Sequence, residues 1–99
     1  MTTGALSQAI SHDEKTRLMV LAVLREESGR ELQKKARFAN EEFDWKSHRE
    51  EFNNDYGNNT TADLLKLCKY YYGLTNIDAV RERRDLHRQQ FAKRHKNDE

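Results

Sequence analysis

Ninety-nine residues, 35% of them hydrophobic and 35% charged, make one domain with a modest core, each element having one buried stripe and a heavily solvated back. A formal net charge of +1 gives no global attraction to nucleic acid or to an anionic membrane, so any such contact must come from a local patch. The single Cys excludes an intramolecular disulfide and a Cys-rich zinc site, and it fits a reducing compartment.

No Pro and only four Gly interrupt the chain, which favours an all-α fold, because strand-rich chains of this size punctuate themselves with turn residues. The expectation is a small bundle of four to five helices containing a helix-turn-helix. Residues 1–10 form a frayed N-terminal segment, and 11–96 form a single helical domain closed by a basic helix over 76–96. No apolar run reaches the ~18 residues of a membrane span. The first ten residues lack the basic and apolar regions of a secretory signal, and they lack the Arg of a transit peptide. The expected compartment is therefore nuclear or cytoplasmic.

Ser11-His12-Asp13-Glu14 has the spacing of a capping box, in which the Ser oxygen takes the third amide and the Glu reaches back. The helix it opens carries the longest apolar run, Leu18 to Leu24. A helix apolar nearly all round is buried by neighbours on more than one side. Glu26-Glu27-Ser28-Gly29 is expected to end it. Ser28 can then cap a second helix over Arg30–Phe43, where Leu32, Ala36, Ala39 and Phe43 make a narrow apolar seam. That helix either continues into Trp45 or is recapped by Asp44, and the spacing leaves both open.

Trp45, Phe52 and Tyr56 recur at steps of seven and four, one face of a helix. Asn53-Asn54-Asp55 weakens helical propensity, and Gly57 is expected to end the helix in the left-handed conformation. Asn58-Asn59 is a turn pair, and Thr60 or Thr61 caps the next helix with Asp63 in its first turn. That helix runs to Tyr72 and stops at Gly73, after which Leu74 occupies the apolar position of a Schellman turn. Leu18, Leu21, Phe43, Trp45, Phe52, Leu64 and Cys68 are expected to share one core.

Thr75-Asn76 caps a last helix from Ile77 to about Lys96. Ile77, Val80, Arg84, His87 and Phe91 follow one 3-4 stripe, so the first half can pack and the second half has little to bury. Between Arg81 and Lys96 stand seven Lys/Arg (Arg81, Arg83, Arg84, Arg88, Lys93, Arg94, Lys96) against Glu82 and Asp85, the one strong charge asymmetry of the chain.

Phe43 to Leu74, and above all Phe52-Asn53…Tyr56-Gly57-x-Asn59-Thr60, resembles the second and third helices of Myb/SANT-like domains. That resemblance implies a DNA- or chromatin-associated helix-turn-helix. Ala62 to Tyr72 would then lie in the major groove, with Lys66 and Lys69 forward and Arg81, Arg83, Arg84, Arg88, Lys93 and Arg94 on the phosphates. The alternative it allows, second to that reading, is a SANT-type module that holds an acidic or chromatin protein partner and does not touch nucleic acid. Three consecutive tyrosines span ~200° of a helix, so at least one of Tyr70, Tyr71 and Tyr72 must reach the surface. Tyr70 and Tyr72 are the expected interface anchors.

Catalysis finds no support in the sequence. His12, His48, His87 and His95 are far apart with no metal-ligand spacing, and Cys68 lies on an apolar helix face with no base beside it. Glu41-Glu42 and Glu50-Glu51 sit among Lys and Arg as solvated ion-pair partners. No Gly-rich loop can cradle phosphate. Neither cofactor nor small-molecule substrate is expected.

Overall fold

The computed structural model describes residues 12–97, with side chains described through Lys93. The expected Ser11 cap, the segment 1–10 and the side chains of Arg94 and Lys96 lie outside the described residues. Four helices and no strand are found among the described residues: α1 His12–Phe38, α2 Trp45–Tyr56, α3 Thr61–Tyr72 and α4 Ile77–Asn97. The chain is an all-α bundle with a helix-turn-helix made by α2 and α3.

The long helix α1 is the axle. Each of the other three helices makes its main packing contacts with α1 rather than with its neighbours. Burial of α1 from several sides follows from its apolar run: Val20, Leu21, Val23 and Leu24 are all buried. Phe52 from α2, Leu64 and Cys68 from α3, Leu74 after α3, and Val80 from α4 complete the core.

Three expectations are corrected here. First, α1 does not stop at Gly29 but runs through it to Phe38. Gly29 is buried, and a Cβ there would collide with the Trp45 ring, reaching Cη2 at 2.6 Å, and would touch His48 at 3.1 Å. The glycine makes room for an aromatic neighbour and does not end a helix. Second, the helix ends over Asn40, which takes the left-handed φ of 59°. The amide of Asn40 donates to the Arg37 carbonyl (3.2 Å) and that of Glu41 to the Ala36 carbonyl (2.8 Å), a Schellman ending with Asn in place of Gly. Asp44 then recaps the chain, its carboxylate accepting from the Lys46 amide at 3.0 Å and the Ser47 hydroxyl at 2.8 Å. Third, Leu18 is 48% exposed, since none of the three packed helices covers it, and Phe43 and Trp45 are only half-buried. Those two rings pack edge to face, 5.2 Å apart, and make a satellite of the core.

The turn between α2 and α3 is also built differently from expectation. Gly57 has φ −60°, an ordinary right-handed value. What requires glycine is space, because a Cβ would run into the Asn53 carbonyl, the same oxygen that accepts the Gly57 amide at 2.8 Å. Thr60 is the cap of α3, accepting from the Asp63 amide at 3.2 Å. Gly73 does take the left-handed conformation (φ 68°), and Leu74 folds back, buried, beneath it. Asn76 opens α4 by accepting from the Ala79 amide at 2.8 Å.

Candidate functional site

Arg17 positions the helix-turn-helix. Rising from α1, it is clamped by Glu14 (Nη2 to Oε1, 2.6 Å) and donates through Nη1 to the Gly57 carbonyl at 2.7 Å. It thereby satisfies a carbonyl left open where α2 ends. Arg17 has no role among the sequence expectations, although a cation directly preceding the apolar run Leu18 to Leu24 is the available signal.

With α3 fixed against α1 by Leu64 and Cys68, its outer face presents Ala62, Lys66, Lys69 and Tyr70 to solvent. Cys68 is fully buried, and that burial, the first cause, pushes its thiol up to about 11, with the charge of Glu27 adding to it. Tyr70 and Tyr71 are 80% and 63% exposed, their rings edge to face at 4.9 Å. Tyr72 turns inward and is half-buried. Its burial first, then the charges of Glu31 and Glu27, push its hydroxyl up to about 12. The surface pair is therefore Tyr70 with Tyr71, in place of the expected Tyr70 with Tyr72.

The arginines of α4 divide into two groups. Arg83 and His87 both reach across to Glu27 of α1, at 2.7 and 2.8 Å on one carboxylate oxygen. His87 and Glu27 are nearly buried, their side chains 11% and 15% exposed. The His87 contact first, and then Arg83, hold the Glu27 carboxyl at about 2 against the opposing effect of burial. Arg84 is half-buried, touching Met19 Sδ at 3.4 Å and Asp85 at 3.1 Å, and Arg81 pairs with Asp78 at 3.0 Å. Arg88 and Lys93 are exposed. The α4 cations nearest the bundle thus hold α4 onto α1, and the 3-4 stripe that carries Arg84 and His87 is a polar continuation of the packing face.

Because α2 and α3 lean on α1 more than on each other, a groove of about 340 Å³ opens between them over the second half of α1. Its floor is Leu24, Phe52 and Leu67, and its walls are Tyr56, Tyr71 and Tyr72. A second cleft, of about 410 Å³, lies between α1 and α4 and is lined by Arg25, Arg84 and Arg88 beside Glu26. Among the described residues no cluster of His, Cys, Asp and Glu is arranged to hold a metal ion, and no helix is long and apolar enough to cross a membrane. No family model, no curated protein and no solved structure matches this chain. None of these comparisons supports the expected Myb/SANT-like likeness of residues 43–74.

Proposed function

We propose that this protein is a non-enzymatic helical interaction module that docks a protein partner through the outer end of α3. The observation that carries this reading is the Tyr70–Tyr71 pair. Two large amphipathic rings stand exposed side by side at the end of a helix that is itself well anchored. Such rings cost little side-chain entropy to immobilise and dominate the energetics of interfaces. Cys68, the one cysteine, is fully buried and has no substrate-accessible thiol, and a free buried thiol suits the reducing nucleus or cytoplasm.

A second reading, a DNA- or chromatin-associated helix-turn-helix, draws on the exposure of Lys66 and Lys69 on α3 and of Arg88 and Lys93 on α4. The engagement of Arg83 and Arg84 with α1 and Asp85 weakens it, because phosphate contact would compete with those pairs.

The experiment is site-specific photo-crosslinking from position 70 in an extract of the cells that make the protein. A discrete protein adduct at position 70, with none from a probe at exposed Lys34, is the expected result. Equal labelling from both positions, or crosslinks to nucleic acid alone, overturns the proposal.

A further inference from the structure

The groove between α2 and α3 has a sign. Glu31, Glu51 and Asp55 stand around it, and no Lys or Arg lines it. Lys35 pairs with Glu31 at 3.5 Å, along exposed α1, and is not a lining residue. Tyr56, Tyr71 and Tyr72 line the same groove, the Tyr71 and Tyr72 rings 6.2 Å apart, and give it an aromatic wall. An aromatic wall attracts a cation by its quadrupole, and carboxylates at the rim attract the same charge from farther away. The floor of Leu24, Phe52 and Leu67 suits an aliphatic stem, the way a Lys or Arg side chain lays down its methylenes.

We infer that this groove is the receptor for a basic segment of the protein partner, taking a Lys or Arg side chain between the tyrosines with its charge at Glu51 and Asp55. The inference rests on the protein-docking reading above, and it specifies the partner's chemistry. Continuity supports the same occupant, since Tyr71 belongs both to the groove and to the exposed tyrosine pair.

The test is an amide-resolved NMR titration of the whole chain with an acetylated, amidated heptapeptide alternating Gly and Lys. The same peptide with Glu in place of Lys is the control. Shifts concentrated in residues 28–32, 48–56 and 67–72 with the Lys peptide alone are the expected result. Glu51→Gln with Asp55→Asn should weaken binding by about tenfold, the loss of two exposed charge contacts, while the melting temperature stays at the wild-type value. Tyr71→Ala is the second variant and should weaken binding through the lost cation–π contact. Shifts scattered over the acidic residues of α1 and α4, unchanged affinity in both variants, or no saturation overturns the inference. A position-70 adduct without groove binding removes this inference and leaves the docking reading; groove binding without an adduct removes docking through Tyr70 and with it the assignment of the basic side chain to that partner.

Discussion

The Trp45 ring lies directly on Gly29, and the two residues together fix how α2 approaches α1. Gly29 is buried inside a 27-residue helix, where glycine costs about 1 kcal/mol relative to Ala. The cost is tolerated because any Cβ would occupy space that the indole already fills. Gly29→Ala therefore gains helix propensity and loses packing. Overpacking of this kind costs about 1–3 kcal/mol, so the net change in urea unfolding is expected to be destabilising. A variant at least as stable as wild type would contradict the packing.

Glu27 ties α4 to α1, and its consequence is readable against pH. The folded carboxyl is held at about 2, below the ordinary value of 4.5. A group depressed in the folded state contributes stability above its unfolded pKa and loses it as pH falls through the folded value. The window is therefore about pH 4.5 down to about 2, and the contribution is on the order of 2–3 kcal/mol. Glu27→Gln should lower the melting temperature at neutral pH and flatten the acid limb between those values. An acid limb identical to wild type would place the stabilising charge elsewhere.

Gly57 and Gly73 are both required, for different reasons, and Asn separates them. Gly73 has a left-handed φ, and a Cβ added there would meet nothing within 4 Å, so Gly73→Ala should cost about 1 kcal/mol and Gly73→Asn much less. Gly57 has ordinary φ but no room, so Gly57→Ala and Gly57→Asn should both destabilise by about 1 kcal/mol or more. Thermal melts of the four variants decide it. Rescue by Asn at position 57 would show that conformation, and not the Asn53 carbonyl, is limiting there.

Much of the architecture is legible because it is written in local chemistry. The cap at Asn76, the left-handed Gly73, the buried Leu74 and the inward Leu64 and Cys68 each follow from neighbours in sequence, whereas the caps at Asp44 and Thr60 each decide between two readings that the spacing leaves open. Gly29 reads as a helix end because its cause, Trp45, lies sixteen positions on, and nothing local distinguishes a packing glycine from a terminal one. Arg83 and Arg84 read as phosphate contacts of a basic helix for the same reason. Their partners, Glu27 and Met19, are brought to them only by the fold. The groove is equally hidden in the sequence, since Glu31, Glu51 and Tyr71 become one surface only when α2 and α3 both settle on α1.

Arg83→Glu should make that fold-built contact visible in a stability measurement. It sets a carboxylate against Glu27 on a half-buried contact, so the melting temperature should fall. Lys93→Glu, on an exposed part of α4, should leave it unchanged. Equal melting temperatures for the two would return Arg83 to the pool of free surface cations.

The central claim is that Arg83 and Arg84, the α4 cations nearest the bundle, serve the fold and that the partner is a protein. Its most direct test is the affinity of the wild-type chain for arbitrary duplex DNA at ~0.15 M salt, repeated at a lower concentration. Non-specific DNA binders have Kd values of ~10⁻⁴–10⁻⁶ M under such conditions, with a slope of about −0.9 in log Kobs against log salt for each phosphate contact. The account predicts no binding at protein concentrations well above that range. Binding within it, with a steep salt slope that Lys66→Glu and Lys69→Glu reduce, would contradict the account and assign the module to DNA.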